Sequence, residues 1–216
     1  LLDVTMEDLH DMPKQLYDGK IKKLREKTQG QLIVKEYPTA SAHAGHFKSL
    51  INELALKKSF RPDVIFIDYL NICASSRFKG GNISSYFYIK AIAEELRGLA
   101  VEHNVPIFSA TQTTRTGFVS TDIGLEDTSE SFGLPATADF MFALMSNEEL
   151  EALGQMKVKQ LKNRYNDPSV NRAFIIGVDR AKMRLYDVQQ SSQNIVNSNQ
   201  VDEKEDAYNK FSDFKL

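Results

Sequence analysis

Apolar residues along the chain alternate between the spacing of helices and that of buried strands. Helical spacing follows Pro13 and ends near Gly30, and it returns from Ser41, where apolar residues recur at i, i+3, i+4, i+7 and i+8. The run from Val64 to Ile67 and the segment VPIFSAT are too short for helices. Such continuous apolar runs are typical of parallel strands that are buried on both faces.

A third helical segment lies between these two runs, and QLIVKEYP predicts a further strand nearer the start of the chain. Ser84 can cap this helix. Its apolar stripe, which we expect to face the core, consists of Ile89, Ile92, Ala93, Leu96, Leu99 and Ala100. The resulting βαβαβ order predicts an α/β fold, with a mostly parallel sheet and helices on both faces.

The later part of the chain predicts antiparallel strands at one edge of the sheet. A strand from Asp139 to Met145 comes first, and MKVKQLKNR, NRAFIIGVD and MRLYDV follow it with turns between them. The polar segment after Ala110 has no period, and long loops of this kind are usually functional.

Composition supports a globular protein with one large domain. The 216 residues carry 27 basic and 29 acidic side chains, so no strong global charge attracts a polyanion or a membrane. Residues 1–188 are expected to form the domain, and the Ser-, Gln- and Asn-rich residues 189–216 a disordered acidic tail. The single Cys73 and the lack of a long apolar run favour a soluble, cytoplasmic protein. Since the chain begins at Leu1 rather than Met, we expect an upstream segment.

Asp68 is the strongest candidate for chemistry, because it directly follows a predicted buried strand. In open parallel sheets, ligands bind beyond the carboxyl ends of the strands. A carboxylate fixed there can orient a water molecule on a Mg²⁺ ion that is bound to nucleotide phosphates. The alternative is that Asp68 merely caps a loop.

Gln112 follows VPIFSAT and should lie at the same edge of the sheet as Asp68. A neutral amide there can donate a hydrogen bond to a phosphate oxygen. Lys162 and Arg164 alternate near the end of a predicted strand, so both side chains should point the same way and could reach one anion, including a neighbouring subunit's nucleotide. The alternatives are a loop-solvating Gln112 and a solvated basic strand end.

Two predicted loops combine basic residues with glycines, a composition that suits binding to a sugar-phosphate backbone. Phe78 and Phe118 could stack on bases. His43 and His46 have a metal-ligating spacing on a helix, but no third ligand accompanies them, which favours a structural role. The candidate DNA-binding residues of the loops are Arg77, Lys79, Gly80, Gly81, Arg115 and Gly117.

Several motifs in this order resemble the motor domain of hexameric replicative DNA helicases of the DnaB-like superfamily, and within it those of the T4-like bacteriophage primosome. They are VIFIDYL, SATQTTR, DTSESFGLPATADFMF and KNR, and the resemblance runs from Leu1 to about Val188. It implies a RecA-like P-loop NTPase core, with ATP and Mg²⁺ as cofactors. In this family's terms, Asp68 is the Walker B aspartate and Gln112 the phosphate sensor, while Lys162 and Arg164 reach the adjacent subunit's ATP.

The resemblance also implies a function, namely ATP-dependent 5′-to-3′ translocation on single-stranded DNA and unwinding of duplex by a hexameric ring. Loops 77–82 and 113–133 would contact the DNA, including Ser129 and Glu130. Bacterial relatives carry an arginine where this chain has Ser129, which weakens the case for a direct phosphate contact there. Primase and a helicase loader are the expected protein partners.

Two departures from the family pattern concern the phosphate site. The sequence contains no G-x-x-x-x-G-K-S/T, and no catalytic glutamate precedes LLDVT. We therefore expect this chain to be the carboxyl-terminal part of a motor domain and to be inactive alone. Two other functions stay open: a RecA-type recombinase, which forms open filaments, and a non-catalytic DNA-binding or assembly module.

Overall fold

The computed structural model describes residues 2–78, 83–113, 124–125, 133–167, 170 and 172–189. The helices in these ranges are α1 (Met6–Asp11), α2 (Lys14–Lys27), α3 (Ala44–Lys58), α4 (Ser85–His103), α5 (Gly133–Thr137) and α6 (Glu148–Ala152). The strands are β1 (Ile65–Ile67), β2 (Ile107–Ser109), β3 (Phe140–Met145), β4 (Gln155–Asn163), β5 (Ala173–Asp179) and β6 (Arg184–Asp187). Not one of the helices within the described ranges combines the length and the apolar character that crossing a bilayer requires.

The chain divides into two compact units. The first comprises Leu1–Ile33, Phe142–Gln160 and Ser169–Leu216, and the second comprises Val34–Met141 and Leu161–Pro168. Both are assembled from segments that are distant in sequence.

The second unit is built on the parallel pair of β1 and β2, in which Ile65 pairs with Ile107 and Ile67 pairs with Ser109. Parallel neighbours need a long crossover connection, and α4 supplies it. The predicted α/β class with parallel strands is therefore confirmed.

The core of the second unit lies against one face of α4. Ile89, Ile92, Ala93 and Leu96 form a cluster with Leu70, Cys73 and Leu134. Leu99 is also buried, whereas Ala100 at the end of the predicted stripe is only half-buried. The helical period thus identified the buried face correctly, with Cys73 acting as a small apolar filler, and burial raises the pKa of its thiol.

Two strand predictions need correction. QLIVKEYP forms no strand, and its Leu32 and Val34 side chains are each 82% exposed, because no described strand offers this segment a partner. β1 is not buried on both faces either, since Phe66 is 71% exposed and stacks on Phe108 with ring centroids 5.3 Å apart. An apolar run identifies a strand, but it does not show what covers each face.

His43 and His46 form the amino-terminal cap of α3. The His43 side chain accepts a hydrogen bond from the Gly45 N–H at 3.0 Å, and His46 Nδ1 accepts one from the His43 N–H at 3.2 Å. The helix therefore begins at Ala44, later than the pattern from Ser41 suggested. Over the described ranges, no group of three or more His, Cys, Asp or Glu side chains could hold a metal ion.

The first unit contains most of a sheet with the order β3-β4-β5-β6, in which β4, β5 and β6 are antiparallel. The amino-terminal segment joins the turn before β6, where the Met6 N–H donates to the Ala181 carbonyl at 2.9 Å and Lys182 pairs with Asp3 at 2.8 Å. The predicted antiparallel strands are confirmed, but among the described residues they belong to a sheet of their own rather than to an edge of the β1–β2 sheet.

Two glycines test this packing in opposite directions. A Cβ at Gly98, on the exposed side of α4, would have no heavy atom within 4 Å, whereas a Cβ at Gly177 would overlap the Tyr186 ring. We expect Gly98→Ala to raise the free energy of unfolding by about 0.5–1 kcal/mol. Gly177→Ala should lower it by about 1 kcal/mol. Urea unfolding monitored by circular dichroism measures both, and a destabilising Gly98→Ala or a neutral Gly177→Ala would contradict this description.

Candidate functional site

The carboxyl edge of the β1–β2 pair brings Asp68 and Gln112 to one side of the sheet. Asp68 directly follows β1, and Gln112 lies three residues after the end of β2. The two strand ends are tied together, since the Ser109 hydroxyl donates to the Ile67 carbonyl at 2.8 Å. Beyond them, the Leu70 N–H donates to the Ala110 carbonyl at 3.1 Å. Parallel register, rather than proximity in sequence, creates this juxtaposition.

Side-chain contacts connect the segments that follow the two strands. Gln112 Nε2 donates to the Tyr69 hydroxyl at 3.4 Å, and the Thr111 hydroxyl donates to Asn71 Oδ1 at 2.8 Å. Asp68 is exposed, and its carboxylate has no hydrogen-bond or ion-pair partner among the described residues. This edge of the sheet therefore presents the exposed Asp68 carboxylate, which has no partner among the described residues, near the hydrogen-bonded Gln112 amide.

These two groups fit a magnesium-bound nucleotide. Mg²⁺ at a nucleotide keeps several waters and needs only one or two protein carboxylates, which the exposed Asp68 can provide. The Gln112 amide is both a donor and an acceptor, so it can exchange its 3.4 Å contact with Tyr69 for a phosphate oxygen.

The side chains of Lys162 and Arg164 both reach the carboxyl end of α5, and their alternation predicts that they point the same way. Lys162 Nζ donates to the Pro135 carbonyl, and Arg164 Nη2 donates to the adjacent Ala136 carbonyl at 3.0 Å. Arg164 Nη1 also pairs with Asp139 Oδ1 at 2.7 Å. Burial, together with the charge of Arg164, lowers the pKa of Lys162.

The sequence analysis missed Arg97 and Asp139, which complete this cluster. Arg97 Nη1 lies 2.6 Å from Asp139 Oδ1 and donates to the Thr137 carbonyl at 2.8 Å. Burial alone would raise the pKa of Asp139, but the hydrogen bond from Arg97 and the surrounding positive charges outweigh it, so this pKa lies below its ordinary value. No local motif links Arg97 to Asp139, because the two residues come from separate elements.

Arg77 is a described residue of the first candidate DNA loop, and its guanidinium pairs with Glu94 at 2.5 Å. The described residues at the start of this loop are held by Glu95, which the sequence analysis also missed. Glu95 accepts hydrogen bonds from the Ser75 hydroxyl at 2.6 Å and from the N–H and hydroxyl of Ser76 at 2.9 and 2.7 Å. Phe78, the other described candidate of this loop, is half-buried.

The remaining DNA-binding predictions fall outside the described residues. They are Lys79, Gly80, Gly81, Arg115, Gly117, Phe118, Ser129 and Glu130.

Comparisons with known proteins agree with the motif order. No protein-family model matches the chain. A DnaB-like replicative helicase of Enterobacteria phage T4 is 46% identical over 195 residues, which make up 89% of this chain and 41% of that protein.

Two solved structures share the fold. One is an isolated ATPase domain, which superposes with a TM-score of 0.69 at 16% identity, covering 87% of this chain and 67% of that one. The other is the structure of a DnaB-like replicative helicase and its interactions with primase. It has a TM-score of 0.63 at 18% identity, covering 87% of this chain and 43% of that one.

The fold is the RecA-like α/β fold of these structural neighbours. The chain is similar to part of a DnaB-like replicative helicase, as its motifs predict. It spans 41% of the length of the phage T4 protein.

The adjacent glutamates of α4 provide a test of how the Arg77 loop is held. Burial would raise the pKa of Glu95, but its hydrogen bonds from Ser75 and Ser76 outweigh burial and lower this pKa. We expect Glu95→Ala to cost about 2 kcal/mol of unfolding free energy at neutral pH, as for hydrogen bonds to a charged group. Glu94→Ala removes only part-exposed ion pairs, with Arg77 and with Lys90, and should cost less than about 1 kcal/mol.

The pH dependence of the Glu95 effect has a definite sign. Because the folded pKa of Glu95 is lowered from its ordinary value of 4.5, its stabilisation is fully present above that value and is lost as the pH falls through the folded pKa. The difference in unfolding free energy between wild type and Glu95→Ala should therefore shrink in acid. Equal costs for the Glu94 and Glu95 variants at neutral pH would contradict the loop assignment.

Proposed function

We propose that this chain is the carboxyl-terminal part of the motor domain of a replicative DNA helicase, which hydrolyses ATP, translocates on single-stranded DNA and unwinds duplex as a hexameric ring. The observation that carries this proposal is the exposed Asp68 beside Gln112 at the carboxyl edge of the β1–β2 pair. The 46% identity to a DnaB-like replicative helicase supports it. Residues 1–188 would form the motor portion, followed by the tail 189–216.

In this proposal the residues of the edge bind and sense the nucleotide. Mg²⁺, when bound with ATP, neutralises charge that develops on the phosphates, and Asp68 is the residue that would hold it through water. Gln112 would donate to the γ-phosphate. Donation to the phosphate would replace the contact of Gln112 with Tyr69, while Thr111 stays bonded to Asn71. A change at the phosphate would therefore alter how the segment after β2 is held against the segment after β1.

Arg164 and Lys162 would act on the nucleotide of an adjacent subunit. An arginine supplied in trans stabilises the charge of the transition state for phosphoryl transfer. The Arg164 side chain is 42% exposed, so it remains accessible from outside its own subunit. Hydrolysis would then require assembly, and a monomer would be nearly inactive.

The first candidate DNA loop would contact phosphates without reading bases. Arg77 is half-exposed on a segment that Glu95 fixes to α4, and its salt bridge with Glu94 is of the solvent-screened kind that a phosphate can replace. Lys79, Gly80, Gly81, Arg115 and Gly117, with Ser129 and Glu130, would complete the DNA-binding surface. Primase is a proposed partner because one structural neighbour is a helicase described with its interactions with primase. A helicase loader is a second proposed partner.

Asp68 can be tested against a nearby aspartate that the proposal leaves without a role. In the ATP-hydrolysing assembly that contains this chain, Asp68→Asn should lower kcat by at least about 100-fold, because preorganised electrostatic contacts of this kind contribute that much. Asp63→Asn, an exposed change just before β1, should leave kcat within about twofold of wild type. Near-wild-type hydrolysis by Asp68→Asn would exclude the proposed magnesium role.

Mixed assemblies test the trans role of Arg164. Arg164→Ala subunits titrated into wild type should depress ATPase activity, because each variant subunit disables a neighbour's site. The loss in homogeneous Arg164→Ala rings should reach about 10³-fold, the range for residues of this kind. ATPase that is unchanged at every mixing ratio would remove the trans role.

A further inference from the structure

We infer that Asp139 and Arg97 are positioning residues for Arg164, which they hold in the orientation required to reach the adjacent subunit's nucleotide. The inference rests on the proposed trans role of Arg164. It adds two residues that the motif pattern does not assign to the ATPase reaction.

One carboxylate oxygen is shared by two arginines. Asp139 Oδ1 lies 2.6 Å from Arg97 Nη1 and 2.7 Å from Arg164 Nη1. The main chain adds a further link, since the Arg164 N–H donates to the Asp139 carbonyl at 2.9 Å. Asp139 is therefore bound to Arg164 through both its side chain and its backbone, which fixes the start of the Arg164 side chain as well as its end.

Three consecutive carbonyls at the end of α5 receive the three cations of the cluster. Pro135 accepts from Lys162, Ala136 from Arg164 and Thr137 from Arg97. The last carbonyls of a helix lack intrahelical partners, and cations stabilise that end. This row thus holds Lys162 and Arg164 side by side, so that the two donors face one ligand together.

Arg97 connects the cluster to the rigid part of the unit. It follows Leu96, which is 5% exposed and belongs to the core cluster on α4. Arg97 has the same carboxylate oxygen on one side and the Thr137 carbonyl on the other, so α4, α5 and the residue that precedes β3 are braced against each other. The position of Arg164 is consequently set by the core rather than by a flexible strand end.

The contacts of Arg164 within its own subunit leave part of its guanidinium available to bind a ligand. A guanidinium has five N–H donors, and the side-chain contacts of Arg164 in the described part of the chain engage its two Nη atoms only. A free arginine side chain loses about 2 kcal/mol of rotamer entropy when it is fixed. If contacts within the subunit already fix the side chain, the remaining N–H donors can bind a phosphate without this further loss of entropy. This is the advantage of preorganisation.

The test compares Asp139→Asn, Arg164→Ala and the double variant in the ATP-hydrolysing assembly. Asp139→Asn keeps the volume of the side chain and removes its charge, and we expect it to lower kcat by about 10- to 100-fold, the range for a misplaced catalytic group. The KM for ATP should stay within about twofold, because the defect lies in transition-state contacts. Since Asp139 acts through Arg164, the double variant should hydrolyse ATP no more slowly than Arg164→Ala alone.

Two controls separate positioning from general damage. Glu102→Gln breaks the exposed Lys48–Glu102 ion pair in the same unit and should leave kcat unchanged. Asp139→Asn subunits mixed with Asp68→Asn subunits should hydrolyse ATP faster than either homogeneous assembly, because some sites then combine an intact Asp68 with an intact Asp139–Arg164 pair from the neighbour. A purely structural lesion at Asp139 would also damage the subunit's own site, so mixing would restore no activity.

The possible outcomes distinguish this inference from the proposed function. A loss with Arg164→Ala but none with Asp139→Asn would overturn the inference and leave the trans role standing. Additive losses in the double variant, or a rise in kcat with Asp139→Asn, would also overturn it. Unchanged ATPase with Arg164→Ala would overturn the trans role itself, and the inference with it.

Discussion

The parallel pairing of β1 with β2 is the constraint on which the candidate nucleotide site depends. Because Ile67 lies opposite Ser109, the segments after the two strands leave the sheet at the same edge. Asp68 and Gln112 belong to these two segments. An antiparallel pairing would place them at opposite ends. The bond from Ser109 to the Ile67 carbonyl secures the strand ends, so both groups are positioned by backbone geometry rather than by contact with each other.

Helix α4 links that pair to the rest of the second unit. Its apolar face forms the core, while its polar side holds two functional segments through neighbouring residues: Glu95 binds the start of the first candidate DNA loop, and Arg97 binds Asp139. A displacement of this helix would therefore move both the proposed DNA contact and the arginine that is proposed to reach another subunit. Such shared packing is a physical route by which DNA binding and hydrolysis can influence each other.

Sequence periodicity predicts what depends on local spacing. The buried stripe of α4 and the shared edge of Asp68 and Gln112 follow from helical and strand periods, and both are found. The strand predicted at QLIVKEYP is absent because pairing needs a partner that spacing cannot identify. The contact of Arg97 with Asp139 escapes detection for the same reason, since it joins separate elements and has no motif.

The central claim is that one nucleotide is bound by two subunits. Its most direct test is a structure of the ring with a non-hydrolysable ATP analogue and Mg²⁺. The account predicts that Asp68 and Gln112 of one subunit, and Arg164 of the partner subunit, surround the same γ-phosphate. Arg164 directed toward its own subunit's nucleotide, or toward none, would contradict it.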